Sequence, residues 1–200
     1  MKLGRTQFSA WKKIGYVPIF LAFALPASGA DAEAGRRKAE PCAACHGPDG
    51  NSTDATVPSL AGQQPLYVYY QLLNFRDERR KDARMSPMAA GMSDADMKDL
   101  GEYFSKQKPK APAALPPPDK VEAGKAVAQR LHCNQCHMPD FTGQQHIPRL
   151  ASQHYEYLVA QLRGYKAGTR VDLDGLMTES AQPLTEANIT AVSAYLAAQP

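Results

Sequence analysis

No stretch of this chain is apolar enough, for long enough, to cross a bilayer easily. The one candidate, residues 14–25, is broken by Gly15, Tyr16 and Pro18, and a spanning helix needs about 20 apolar residues. Lys2, Arg5, Lys12 and Lys13 precede it, and the small residues Ser28, Gly29 and Ala30 follow. That order is the order of a secretory leader, so residues 1–30 read as a signal peptide cut after Ala30, in preference to a membrane anchor. The expected destination is the periplasm, and a peripheral membrane association is compatible with it. A charge excess is missing too. The leader takes four of the 23 Lys and Arg and none of the 20 Asp and Glu, which leaves a net charge of −1. The apparent basicity belongs to the leader, and it gives no support to nucleic-acid binding. Tryptophan is absent beyond Trp11, and strand-type alternation is absent throughout.

Cysteine is scarce, and its placement matters more than its number. All four cysteines fall in two motifs, Cys42-Ala43-Ala44-Cys45-His46 and Cys133-Asn134-Gln135-Cys136-His137. In an exported chain four cysteines suggest two disulfides, but disulfides leave both histidines unexplained. Positions i, i+3 and i+4 share one helix face. Two thiols there can reach two vinyl groups along one porphyrin edge, and the histidine meets the iron from the same side. Cys-x-x-Cys-His is therefore the attachment signature of c-type haem. A zinc site needs both pairs on one metal at a much shorter separation. A thioredoxin-like redox pair needs a βαβ setting, which is missing. The reading is two haem c groups, with Cys42, Cys45, Cys133 and Cys136 as thioether anchors and His46 and His137 on the irons.

The motifs belong to a long repeat. Pro58-Ser59-Leu60-Ala61-Gly62-Gln63 falls on Pro148-Arg149-Leu150-Ala151-Ser152-Gln153, Tyr67 on Tyr157, Gln71 on Gln161, Met85 on Met177, Ser93 on Thr185 and Tyr103 on Tyr195, at offsets of 90 to 92. Such a period marks a duplicated domain, since solenoid repeats are shorter. The expected units are residues 31–108 and 120–200, joined by a linker over residues 109–119. That linker holds Pro109, Pro112, Pro116, Pro117 and Pro118. It should run extended, reaching roughly 30 Å at about 3.1 Å per residue. Within each half the pattern is helical, so the fold class is all-α with two tandem domains. Residues 31–44 read as a helix that kinks or restarts at Pro41. Residues 65–81 read as an amphipathic helix with Leu66, Tyr69, Tyr70 and Leu73 on one side, and residues 153–166 as its partner. Ser93 and Thr185 each open a last helix, the first with a capping box. Halves this small need help to build a core, and a large apolar ligand supplies it.

Met85 and Met177 are the best candidates for the second axial position, each expected in an irregular segment eight residues before a helix start. Met88 is the rival in the first half; Met97 should pack inward. Met138, next to His137, cannot cross to the opposite haem face. His132, His146 and His154 have no first-half counterpart and read as surface or core residues. Pro58 and Pro148 are expected to offer a backbone carbonyl to the proximal imidazole. The cluster Arg76, Arg79, Arg80, Lys81 and Arg84 reads first as a solvated helix end, with a propionate contact or docking patch as the alternative.

With these residues in place, the chain resembles the dihaem cytochrome c4 family, in which two class I cytochrome c domains lie in tandem. The resemblance rests on residues 42–52, on residues 58–63, on Met85-Ser86-Pro87-Met88 ahead of Ser93, and on their second-half equivalents. It implies His46 and His137 as proximal ligands and Met85 and Met177 as distal ones. It also implies a pseudo-twofold with the haem propionate edges facing each other. The second half departs from the pattern at Met138 and Ser152, where the family carries Gly, and in a short segment before Met177. Two closed axial positions imply outer-sphere transfer of one electron per haem and no enzymatic turnover. The implied partners are a quinol–cytochrome c reductase or a dehydrogenase as donor and a terminal oxidase or reductase as acceptor. The alternatives are a fixed cytochrome subunit of such a complex and a dihaem peroxidase-like enzyme.

Overall fold

A computed structural model describes Met1 and residues 29–200; nearly all of the expected leader lies outside the described residues. Among the described residues ten α-helices follow in two sets of five. The first set is α1 (Ala32–Lys38), α2 (Ala43–His46), α3 (Pro65–Arg76), α4 (Met85–Ala89) and α5 (Asp94–Ser105). The second is α6 (Pro118–Arg130), α7 (Cys133–His137), α8 (Tyr155–Lys166), α9 (Leu176–Ala181) and α10 (Glu186–Ala197). Among the described residues there is no strand, only an isolated bridge between Gln144 and Ile147, and no helix long and apolar enough to cross a membrane.

Local chemistry sets the helix ends. Asp31 accepts the Glu33 N–H and starts α1. Pro41 stops it: the chain passes through a 3-10 turn at Glu40–Cys42 before α2, as the Pro41 kink requires. Capping boxes open α5 (Ser93 with Asp96) and α10 (Thr185 with Asn188). Two expectations need correction. The helix from Pro65 ends at Arg76, not Lys81, because Glu78 takes a left-handed φ of 54°. Its inward residues are Val68, Leu72, Asn74 and Phe75, whereas Leu66 is exposed.

In each domain the first and last helices cross at a glycine. A Cβ on Gly35 would lie 2.0 Å from the Asp99 carbonyl oxygen, and one on Gly124 would lie 1.9 Å from that of Ala191. Here the repeat offset falls to 89, because the second half has two more residues before its first cysteine. The first core gathers Val68, Leu72, Met97, Leu100 and Phe104, with Met97 fully buried as expected. The second is larger, built around Leu158, Val159, Ile189, Val192 and Leu196.

The domains meet through bonds that come in pairs. Gln63 lays its amide on the Arg149 backbone, accepting its N–H at 2.7 Å and donating to its carbonyl at 3.1 Å. Gln153 does the same to Ser59, at 2.9 Å and 2.9 Å. Gln64 donates to the Thr142 carbonyl at 3.0 Å, and the ring of its counterpart His154 sits 3.0 Å from the Ser52 carbonyl. Each of these bonds is answered by one 90 residues away, so the halves face each other across a local twofold. The proline-rich segment is tied down at its start. Asn51 bonds the Lys108 carbonyl and the Lys110 N–H, and Pro109 covers Gly62; α6 already begins at Pro118.

Candidate haem-binding sites

Cys42 closes the 3-10 turn, and Cys45 and His46 lie on α2; Cys133, Cys136 and His137 all lie on α7. No disulfide joins the cysteines. Cys42 and Cys133 are half-buried, and that burial pushes their thiol pKa up, while Cys45 and Cys136 are exposed. Each histidine is buried, with Nδ1 2.8 Å (His46) or 3.0 Å (His137) from the carbonyl of Pro58 or Pro148. These are the two prolines expected to do so. A carbonyl only accepts, so Nδ1 carries the proton and Nε2 keeps its lone pair. Burial lowers both histidine pKa values, against the opposing pull of the carbonyl, so neutral imidazole is the resting form.

A continuous, largely apolar cavity of about 770 Å³ runs through both domains and reaches His46 and Met85 in one, His137 and Met177 in the other. The two methionines are not in irregular segments: Met85 opens α4, and Met177 is the second residue of α9. Both short helices are held at their start by an aspartate. Asp82 accepts the Met85 N–H at 3.0 Å, and Asp172 accepts the Met177 N–H at 2.7 Å and both the N–H and the hydroxyl of Thr178. Met88 also borders the cavity but is exposed. His132 is exposed, His146 lies 3.5 Å from Asp174 at the cavity mouth, and His154 is buried in the domain interface.

Within the basic cluster, Arg76, Arg79, Lys81 and Arg84 pair with Asp77, Asp94, Glu78 and Asp82, as a solvated helix end should. Arg80 is the exception. It donates to Gln71, Tyr157 and Gln161 and stacks on Phe75. Its counterpart Arg170 donates to Gln161, Tyr67 and Gln71 and stacks on Tyr165. Sequence reasoning missed this double clasp, although Tyr67, Gln71, Tyr157 and Gln161 all lie among the aligned repeat positions.

These residues fit a haem in each half. Each half offers two thiols that could bond the vinyl groups and, as metal donors, an imidazole nitrogen and a methionine thioether, the pair that iron takes in cytochromes c. Arg170 is buried, its partners are all neutral, and its Nε has no hydrogen-bond partner. A guanidinium stays charged in a protein, and a buried cation without an anion is strongly unfavourable. Arg170 and Arg80 both border the cavity, so a propionate would complete them.

Fold and donor set define a c-type cytochrome with two haem-binding domains. The sequence model of the cytochrome c family, "Cytochrome c", matches residues 32–108 and again 121–199. The chain is 36% identical over 187 residues to the cytochrome c4 of Azotobacter vinelandii, covering 83% of this chain and 88% of that one. It is 38% identical over 191 residues to the "Thiosulfate dehydrogenase electron acceptor" of Thiomonas intermedia, covering 90% and 87%. The crystal structure of reduced recombinant cytochrome c4 from Pseudomonas stutzeri superposes with a TM-score of 0.79 at 32% identity, covering 85% of this chain and 99% of that one. This chain belongs to the cytochrome c4 family. It binds two haem c groups and is an electron-transfer protein, not an enzyme.

Proposed function

We propose that His46 with Met85 would hold the iron of one haem, and His137 with Met177 that of the other. In this reading Cys42, Cys45, Cys133 and Cys136 carry the thioethers. The observation that carries it is the state of the two buried histidines. Each has one nitrogen committed to a proline carbonyl, leaving a lone pair on the other beside the cavity. Bound haem supplies reversible one-electron chemistry, with a potential raised by thioether ligation. The rest is done by the chain. Pro58 and Pro148 fix the imidazole planes, and Asp82 and Asp172 hold the methionine helices. The methionines would keep water and exogenous ligands from the metal, and Arg80 and Arg170 would hold the propionates. Met85 is favoured over Met88 because it is half-buried, packs on the core and has its backbone fixed by Asp82.

In cellular terms, the chain carries electrons in the periplasm from a quinol–cytochrome c reductase or a dehydrogenase to a terminal oxidase or reductase. The name of the Thiomonas relative favours a dehydrogenase as one donor. A dedicated subunit of such a complex is the second reading, and co-purification with one partner distinguishes it. A redox titration of the mature protein, with haem counted per chain and the near-infrared methionine–iron band recorded, tests the ligands. Two haems, both with that band and neither binding cyanide readily, is the expected result. Ready cyanide binding at one haem removes its methionine.

A further inference from the structure

The segments that lead into Met85 and Met177 carry different chemistry. In the first domain the segment before Met85 carries Glu78, Arg79, Lys81 and Arg84, exposed and engaged in ion pairs with one another and with Asp77 and Asp82. The matching segment of the second domain carries Val171, Leu173 and Leu176, which are 42%, 57% and 55% exposed. They are half of the large exposed apolar side chains beyond Met1 among the described residues; the others are Leu66, Leu115 and Met88, the last a single such residue on the Met85 helix. Asp174 lies among them in the chain and Glu179 follows Leu176 by one helical turn, both exposed. Glu179 has no ion-pair partner among the described residues, and Asp174 pairs only with His146 and accepts the Leu176 N–H. Between residues 171 and 180 there is no Lys or Arg, and Arg170 is turned inward.

We infer that this apolar, acid-edged rim is the docking surface through which the second domain exchanges electrons, and that its partner is a redox protein with an apolar centre and a basic edge. The inference rests on the electron-transfer role of that domain. An apolar centre inside a charged rim is how transient interfaces are built, and opposite charge on the partner speeds encounter. A second copy of this chain is a poor occupant, because twofold pairing would set Asp174 and Glu179 against their own copies. An anionic lipid surface is repelled by the same two groups. Leu173, Asp174 and Leu176 border the cavity beside Met177, so a partner seated there approaches the second haem rather than the first.

The test uses the haem-loaded protein and stock mitochondrial cytochrome c, a lysine-rich redox protein, as probe. Val171→Ser with Leu173→Ser should slow second-order electron exchange at least about fivefold, and Asp174→Lys with Glu179→Lys should slow it as much and flatten its decline with salt. Lys81→Glu with Arg84→Glu should leave the rate within about twofold, and reduction by ascorbate should be unchanged in the two second-domain variants. An unchanged rate in Val171→Ser with Leu173→Ser overturns the inference, as does a loss carried only by the Lys81 and Arg84 pair. A dimer that the Val171 and Leu173 changes abolish, seen by sedimentation, also overturns it, since the occupant is then a second copy. If both haems and both methionine–iron bands are intact while rates do not move, only the docking surface is wrong. A wild-type chain without haem overturns the electron-carrier reading as well.

Discussion

The two domains share one plan, yet their backbones are under different stress. After the first haem motif the chain turns at Gly47 with φ 81°, and it turns again at Gly62 with φ 66°. At the same places the second domain has Met138 at φ 69° and Ser152 at φ 59°. A side chain held in that region costs about 1–3 kcal/mol, so the second domain keeps the geometry against a local penalty that the first escapes. The offset is in its core. Lys38, bonded to Asp96 and Asp99 in the first domain, is replaced by buried Val127, and Asp99 by buried Ala191. Phe141 packs edge-on against Tyr195 at 5.7 Å, where the first domain has Gly50. The turns keep their form while the residues change: the first directly follows the haem-motif histidine, and the second bonds the chain at the end of the last helix in both domains.

The sharpest way to break the comparison is to empty one half. Cys133→Ala with Cys136→Ala should halve the covalent haem, read as mass added per chain; two haems still attached would remove the second motif from its role. Next, Met177→Ala should abolish the methionine–iron band of one haem, lower its potential and open it to cyanide, with the other haem nearly unchanged. Met85→Ala should mirror this and Met88→Ala should not. At the helix crossings, Gly35→Val and Gly124→Val should each destabilise their own domain by about 3 kcal/mol through overpacking, measured by denaturant unfolding. Smaller effects come from exchanging turn residues. Ser152→Gly should raise the stability of the second domain by about 1 kcal/mol, and Gly62→Ser should lower that of the first by at least as much.

Acid should separate the halves least. The Asp96 carboxylate is held down to about 2, chiefly by its bond to Lys38, and Asp99 is lowered despite burial, also by Lys38. A depressed carboxylate stabilises the fold fully above its ordinary pKa, and that contribution is lost as pH falls from about 4 toward 2. The second domain lacks this cluster. Residues of the first should lose hydrogen-exchange protection earlier on acidification, and Lys38→Met should shrink the difference.

What was legible in the sequence was whatever covalent or capping chemistry ties to spacing. The haem motifs, the prolines over the histidines and the Ser93 and Thr185 helix starts depend on local geometry, and a string of residues records it. The face of α3 was misread because that helix packs against both α5 and the partner domain, so it has no single apolar stripe and Leu66 was free to point outward. The helices at Met85 and Met177 were missed because their caps, Asp82 and Asp172, precede the methionines by three and five residues, a spacing that matches no fixed signal. The interface was hidden most deeply. Gln63, Tyr67, Gln71 and Arg80 look like surface residues, and only their recurrence 90 positions later hinted at a shared task.

The glutamine exchange across that seam has a consequence for divergence. Gln63 and Gln153 grip the main chain of the opposite half and leave its side chain free, which is why Ser59 and Arg149 can occupy equivalent places. Such a latch is indifferent to most drift in the surface it holds. One domain can therefore change its rim, its charge and its clients over time while the other stays as it was, and the pair will still close on the same hinge line.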